Sequence, residues 1–147
     1  ATAGGHGTVI VLDTNVLSEL MRPAPNPAVV AWLDQQPAGD VATTSITVAE
    51  ILYGIERLPA GRRQRTLAML AAELFDQEFH GRLLPFDALA ASHYSQRIAQ
   101  AERNGTPVSM ADGQIAAICH AHGATLATRN TKDFEPLGIP LINPWNS

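Results

Sequence analysis

The chain has 147 residues, 46% hydrophobic and 16% charged, which is typical of one globular domain and excludes an intrinsically disordered chain. A single cysteine excludes an internal disulfide, and no apolar run approaches the roughly 18 residues of a membrane span, so we expect a cytoplasmic protein without a membrane partner. The net charge of −4 argues mildly against nucleic-acid binding, unless bound metal ions neutralise some of the acids.

The first predicted elements are a strand and two helices. Residues 1–8, ATAGGHGT, resemble a cloning-derived or disordered N-terminal segment, so we expect a single domain over residues 9–147. Residues 9–12 are apolar on both faces, as expected of a central parallel strand. Thr14 or Asn15 is expected to cap the first helix, which ends at residues 22–25. Asn26 and Pro27 open a second helix to about residue 36.

The rest of the chain continues this alternation of strands and helices. Short strands are predicted at residues 41–43, 83–86, 125–128 and 141–142. Helices are predicted from Ser45 or Thr47 to about residue 57, over residues 62–79, and after caps at Asp87 and Ser109. This order predicts an α/β fold in which helices cover both faces of a parallel sheet.

Four acids are expected at the sheet edge where the strands end. Asp13 follows the first strand, and Asp133 lies just beyond the fourth. Glu50 and Asp112 lie near the starts of two helices. Because ligands of such folds bind outside the carboxyl ends of the strands, we expect these acids to share one site.

Each acid also has a purely structural alternative. Asp13 could simply cap the next helix, and Asp133 could be an ordinary loop acid. Glu50 and Asp112 both occupy the fourth position of a capping-box pattern, which begins at Thr47 or at Ser109. These alternatives become less attractive when the four acids are considered together, since all lie at equivalent places in the topology.

A cluster of carboxylates indicates a hard divalent cation. Carboxylates close together repel one another and raise each other's pKa, and a cation removes that cost. Mg²⁺ prefers oxygen ligands, whereas the absence of His and Cys from this set argues against zinc. Such a metal activates water and stabilises charge on a phosphodiester, so the sequence predicts a metal-dependent nuclease.

Four stretches together resemble the motifs of PIN-domain ribonucleases. They are Asp13-Thr14-Asn15 after the first strand, TVAEILYG at residues 47–54, SMADGQIAA at residues 109–117 and ATRNTKDF at residues 127–134. The set covers the chain from about residue 9 to 142. The branch that it most resembles is the VapC toxins of toxin–antitoxin pairs, in particular the FitB-like ones.

This resemblance implies a three-layer α/β/α sandwich that cleaves RNA with Mg²⁺, or with Mn²⁺ in its place. It also implies a homodimer and a VapB-type antitoxin whose C-terminal segment occupies the active-site groove. By position, Asp13 and Asp112 would be metal ligands, and Glu50 would support the metal or the attacking water. Thr14 and Thr128 would donate hydrogen bonds around the site, and with Asn15 they could contact the substrate.

The fourth motif departs from the family pattern. The family's fourth acid often falls where this chain has Asn130, and Asp133 lies one helical turn further on. Either Asp133 substitutes for that acid or only three carboxylates remain, which would favour one tightly bound metal over two. Arg129 is a candidate for contact with a phosphate or with an antitoxin carboxylate.

Two other functions are compatible with the same residues. A Mg²⁺-dependent phosphatase could use Asp13 as its nucleophile, although position 15, where a second acid would support that interpretation, is Asn. A non-catalytic binding module of the same shape would keep the fold without binding metal.

Overall fold

Five parallel strands form the central sheet of the computed structural model, which describes residues 9–146. The sheet order is β3-β2-β1-β4-β5, and Ile10 of β1 is paired with Val41 of β2 and with Thr125 of β4. The strand order therefore reverses at β1, between β2 and β4. The predicted α/β fold with a parallel sheet is confirmed. The strands are β1 (Ile10–Leu12), β2 (Val41–Thr44), β3 (Leu83–Leu84), β4 (Thr125–Ala127) and β5 (Leu141–Ile142).

Seven α-helices connect and cover these strands within residues 9–146. A π-helical turn, Leu74–Glu78, continues α4, and a 3₁₀ turn, Glu135–Leu137, continues α7. The helices are α1 (Thr14–Leu20), α2 (Pro27–Asp34), α3 (Ser45–Glu56), α4 (Arg62–Glu73), α5 (Ala88–Arg103), α6 (Met110–His122) and α7 (Thr131–Phe134).

The helices form one layer on each face of the sheet. Because successive strand residues point to opposite faces, Leu12 packs with helices α1 to α4, whereas Val11 packs with α5 and α6. Trp32 and Phe75 fill the first layer, and Phe134 lies in the second. The chain is thus the three-layer α/β/α sandwich that the motifs imply.

Two helix caps differ from the sequence prediction. Asp13, the alternative cap that the sequence also allowed, caps α1 in place of Thr14 or Asn15, and its carboxylate accepts the Thr14 N–H. Thr44, and not Ser45 or Thr47, caps α3, since its hydroxyl accepts the Thr47 N–H. In both cases the cap is the residue with extended backbone directly before the helix, and its side chain reaches the first turn. The proposed Thr47–Glu50 capping box therefore does not form.

Other helix ends follow the prediction closely. Asn26, Asp87 and Ser109 cap their helices through side-chain oxygens, and Gly123 ends α6 in the left-handed region at φ 59°. The predicted helix over residues 62–79 is α-helical only to Glu73 and then widens into the π-helical turn. That turn helps to bury Phe75 and Phe79, and the Phe79 N–H donates to the Leu74 carbonyl.

Two further predictions concern the N-terminal segment and membrane-spanning helices. The segment 1–8, predicted to be cloning-derived or disordered, lies outside the described residues. Within the described part of the chain, no helix is long and apolar enough to cross a membrane.

Candidate active site

Asp13 is the buried centre of the site. It follows β1 at the point where the strand order reverses, and only 4% of its surface is exposed. Its Oδ1 accepts the Thr14 N–H at 2.8 Å, and its Oδ2 accepts the Thr128 hydroxyl at 2.8 Å. Burial raises its pKa to about 6 against these hydrogen bonds, and the charges of Asp112 and Glu50 raise the pKa further.

Glu50 approaches Asp13 from the second turn of α3. Its Oε1 accepts a 2.6 Å hydrogen bond from the Thr14 hydroxyl, whose oxygen also lies 3.2 Å from that of Thr47. Thr14 directly follows Asp13, so this contact ties α3 to the end of β1. The carboxylate is itself exposed, with its second oxygen free of hydrogen bonds to described residues. Glu50 is therefore placed to act on a solvent molecule or a ligand.

Asp112 and Asp133 complete the group of acids. Asp112 lies in the first turn of α6, where its N–H donates to the Ser109 hydroxyl at 3.2 Å. Burial raises the pKa of Asp112, and the charges of Asp133 and Glu50 raise it further, against a hydrogen bond with Ser109. The four acids predicted to share a site therefore lie close enough to affect one another's ionisation.

Thr128 fixes the geometry of Asp13 from the neighbouring strand. It is fully buried at the end of β4, and its hydroxyl donates to Asp13 Oδ2. The same oxygen accepts the Asn15 side-chain amide at 3.2 Å and the Asn130 N–H at 3.0 Å. One donor and two acceptor positions are all that a hydroxyl offers, so this threonine is fully used inside the protein.

Asn15 is a second internal brace. Its amide nitrogen lies 3.3 Å from Asp13 Oδ2 and 3.2 Å from the Thr128 oxygen, while its Oδ1 accepts the Arg129 N–H at 3.1 Å. The contact with a backbone donor fixes which end of the amide is the oxygen. We expected Asn15, Thr14 and Thr128 to contact substrate. Their side chains instead form hydrogen bonds with the site acids, with one another, with Thr47 and with the loop after β4.

Comparison with known proteins then places the chain in a family. A family model for the PIN domain matches residues 10–138. The chain belongs to the PIN-domain family.

Named relatives of this PIN domain are toxins and ribonucleases. The chain is similar to VapC ribonuclease Y4jK of Sinorhizobium fredii, with 45% identity over 93% of this chain and 98% of the relative. It is 41% identical to Toxin FitB of Neisseria gonorrhoeae over 94% of this chain and 99% of that protein. The crystal structure of FitAcB from Neisseria gonorrhoeae matches with a TM-score of 0.85 and 41% identity, over 95% of this chain and all of that one. The expected membership of the VapC branch is confirmed.

The carboxylates of this PIN domain fit Mg²⁺ bound through few protein ligands. All the site acids present oxygen atoms, and the pKa of Asp13 and of Asp112 is raised by burial and by neighbouring negative charge. Within residues 9–146, however, no three His, Cys, Asp or Glu side chains lie close enough together to hold one ion. Mg²⁺ commonly takes one or two carboxylates and completes its shell with water, so two acids suffice.

A groove opens beside the acids of this PIN domain. It has a volume of about 1130 Å³ and is lined by residues of α1, α3 and α4, with Thr14 and Glu50 among them. Its wall is largely apolar, with Arg62 and Arg63 among the polar residues that line it. A ligand that filled this groove would reach the acidic site at Glu50.

Two residues near the site were missed by sequence reasoning. Thr47 is buried and contacts the Thr14 hydroxyl, and Trp145 lies against Arg129 with the guanidinium carbon 4.9 Å from the ring centroid. Ligands of such folds bind beyond the carboxyl ends of the strands, and this holds for β5 as it does for β1 and β4. Trp145 lies three residues after the end of β5. That signal could have identified Trp145.

Proposed function

We propose that this PIN domain is a Mg²⁺-dependent endoribonuclease and the toxin of a type II toxin–antitoxin pair. The observation that carries the proposal is the buried Asp13, whose pKa is raised to about 6 beside Asp112 and Glu50. Asp13 also caps α1, but capping does not require an acid buried among other acids, and a bound cation offsets the cost of that burial. Mn²⁺ is expected to replace Mg²⁺, and the activity is placed in the cytoplasm with its RNA substrate.

In this proposal Asp13 and Asp112 would hold the metal, and Glu50 would support the metal or the attacking water. When bound, the metal ion lowers the pKa of water and stabilises negative charge on the phosphodiester. Thr128 and the Thr14 N–H hold both Asp13 oxygens in place. The free oxygen of Glu50 orients the attacking water and accepts its proton.

The fourth acid of the site is assigned to Asp133. It lies in the first turn of α7, and its negative charge raises the pKa of Asp112. Asn130 is uncharged, and its N–H serves to hold Thr128. The Asn130 side chain remains available for a hydrogen bond to water or RNA, while the charge near the metal comes from Asp133.

The proposal extends to a VapB-type antitoxin and a homodimer. The groove beside Glu50 is large and apolar enough to hold a segment of an antitoxin, which would then block the acids. Leu52 and Tyr53 on α3, with 44% and 65% of their surface exposed, are suited to an interface between two copies. Sedimentation of the purified chain should give about twice its mass of 15.7 kDa.

Cleavage of a mixed panel of single-stranded RNAs tests the proposed function. The wild type should cleave with Mg²⁺ or Mn²⁺ and stop when EDTA is added. Asp13→Asn should remove cleavage, whereas Asp34→Asn, which neutralises an exposed acid on α2, should retain it. Cleavage that survives in Asp13→Asn would contradict the assignment, and no cleavage by the wild type would favour a non-catalytic module.

A phosphatase is less well supported by the geometry. Position 15, where a second acid would support the use of Asp13 as nucleophile, is Asn, and its side-chain amide nitrogen lies 3.3 Å from Asp13 Oδ2. Two relatives that match over more than 90% of the chain are also named as a ribonuclease and a toxin.

A further inference from the structure

Arg129 lies against the face of Trp145 at the edge of the site. The guanidinium carbon is 4.9 Å from the centre of the indole ring, which is the shortest of the three cation–π contacts among residues 9–146. The other two join residues three or four positions apart, Arg57 with Tyr53 and Arg82 with Phe79. Only the contact with Trp145 links two separate segments of the described chain, the loop after β4 and the loop after β5.

Trp145 is held in place independently of the arginine. The backbone N–H of Trp145 donates to the Asn143 side-chain oxygen at 2.9 Å. The backbone N–H of Asn146 donates to the Asn143 carbonyl at 3.0 Å, which closes a turn. The half-buried indole also packs against the core cluster that contains Leu12 and Val16. The ring is therefore a fixed surface on which a planar guanidinium can rest.

Arg129 is fixed at both ends yet has no partner for its charge. Its N–H donates to Asn15, which in turn contacts Asp13, so its backbone belongs to the site. In the described part of the chain, its guanidinium forms neither an ion pair nor a hydrogen bond, and it remains exposed. A stacked guanidinium keeps its hydrogen-bond donors free at the ring edge, where a phosphate can accept two of them.

We propose that Trp145 is a positioning residue that holds Arg129 for contact with an RNA phosphate next to the cleaved bond. The inference rests on the proposed ribonuclease function. RNA must approach a group of acids on a chain of net charge −4, so an attached, unpaired cation at the rim of the site is needed for productive binding. Trp145 acts through Arg129, because one face of its ring is covered by the guanidinium and its other contacts are with the core.

RNA binding without cleavage tests this role. In an Asp13→Asn background, the affinity for a short single-stranded RNA is measured across a range of salt concentrations. Arg129→Gln and Trp145→Leu should each weaken binding by about fivefold, an effect within the range of a cation–π contact. Each should also reduce the slope of log affinity against log salt by about 0.7, the value for one fewer neutralised phosphate on a single strand.

Four controls separate positioning from folding or general charge. Trp145→Phe keeps an aromatic platform and should restore most of the affinity, and Arg103→Gln, which removes a charge from the last turn of α5, should leave the slope unchanged. Trp145→Leu should melt below the wild type because the half-buried indole packs against the core, but its Mn²⁺ affinity, measured with Asp13 intact, should stay close to that of the wild type. The double variant Arg129→Gln/Trp145→Leu should bind RNA no more weakly than Arg129→Gln alone.

Several outcomes would overturn the proposal. Additive losses in the double variant would mean that Trp145 contacts RNA by itself. An unchanged salt slope in Arg129→Gln would show that Arg129 does not contact an RNA phosphate. An equal change of slope in Arg103→Gln would show that the effect comes from net charge alone. If the wild type cleaves RNA while Trp145→Leu binds it normally, this inference fails and the ribonuclease assignment stands. A wild type that does not cleave RNA would instead contradict the ribonuclease assignment.

Discussion

Thr128 donates a 2.8 Å hydrogen bond to Asp13 across a sequence separation of 115 residues. This bond joins the ends of β4 and β1 at the position where the strand order reverses. The hydroxyl leaves one lone pair for Asn15 and the other for the Asn130 N–H. A single buried side chain thereby links the acid of the first motif to the loop of the fourth.

Replacement of the Thr128 hydroxyl should lower both the stability of the protein and its metal affinity, although the change in side-chain volume is small. Thr128→Val is close in volume but leaves Asp13 Oδ2, Asn15 Nδ2 and the Asn130 N–H short of a partner. We expect it to lower the free energy of unfolding by about 1–3 kcal/mol and to weaken Mn²⁺ binding. Urea denaturation and calorimetry measure the two effects.

Thr128→Ser is the matched control, because it keeps the hydroxyl and removes only a methyl group. It should retain Mn²⁺ affinity even where it costs about 1 kcal/mol of packing. Equal Mn²⁺ affinities for the Val and Ser variants would show that the hydroxyl does not hold Asp13.

The raised pKa of Asp13 predicts a specific dependence of stability on pH. The folded-state pKa of about 6 exceeds the ordinary value of 3.8, so between these values the folded protein binds more protons than the unfolded chain. Its contribution to stability is therefore greatest at low pH and is lost as the pH rises toward 6. Without metal, the free energy of unfolding of Asp13→Asn relative to wild type should rise by up to about 3 kcal/mol from pH 4 to pH 7.

Mg²⁺ should reverse this loss by holding the ionised form. We expect Mg²⁺ to raise the melting temperature of the wild type more at pH 7 than at pH 5, where protons compete for the ligands. Asp13→Asn should show a smaller pH trend, since the pKa of Asp112 is also raised by burial, and a smaller Mg²⁺ effect. A Mg²⁺-induced shift of the same size at both pH values would count against the carboxylate cluster.

Two glycines in helices should respond in opposite ways to alanine. A Cβ at Gly113 of α6 would lie 2.7 Å from Ile98 and 2.9 Å from Tyr94, both on α5. Gly113→Ala should therefore cost about 1–3 kcal/mol through overpacking. Gly54 of α3 has no atom within 4 Å of the same position, so Gly54→Ala should add about 0.5–1 kcal/mol by helix propensity. Both variants are measured by urea denaturation. A Gly113→Ala variant that was not destabilised would show that the α5–α6 contact is looser, and a destabilised Gly54→Ala would contradict the open space at that position.

The fold and most of the site acids follow from the sequence for a physical reason. Buried parallel strands are apolar on both faces, and the carboxyl ends of β1 and β4 meet at one edge, so Asp13 and the residues after Thr128 could be placed together. The helix caps were harder to place. Only the backbone geometry selects Asp13 and Thr44 as caps. Cap-forming side chains occur at six neighbouring positions: Asp13, Thr14, Asn15, Thr44, Ser45 and Thr47.

The contacts of Arg129 with Trp145 and of Thr14 with Glu50 lay beyond sequence reasoning. Both depend on how loops at the ends of distant strands and helices approach one another, which no local pattern encodes. The short helix α7 was also missed, since its four residues are too few to show a periodic pattern. It nevertheless carries Asp133 close enough to Asp112 for their charges to interact.

The identity of the fourth acid can be tested by moving the charge. Asp133→Asn should lower the pKa of Asp112 toward its ordinary value and weaken Mn²⁺ binding by roughly fivefold, the equivalent of about 1 kcal/mol, which is the interaction of two unit charges about 4 Å apart in water. Asn130→Asp in the same background should recover part of the affinity if that position also faces the metal. Calorimetry at pH 7.5 measures both variants. An unchanged affinity in Asp133→Asn would leave a site of three carboxylates.

Titration of the purified chain with Mn²⁺ at pH 7.5 tests the central claim most directly, that Asp13 and Asp112 hold a divalent cation. The wild type should bind, and Asp13→Asn and Asp112→Asn should each weaken binding by at least about 100-fold, the upper end of the loss when a supporting residue is removed. Asp34→Asn, which neutralises an exposed acid outside the site, should bind as the wild type does. No binding by the wild type, or binding of equal strength by Asp13→Asn, would contradict the assignment.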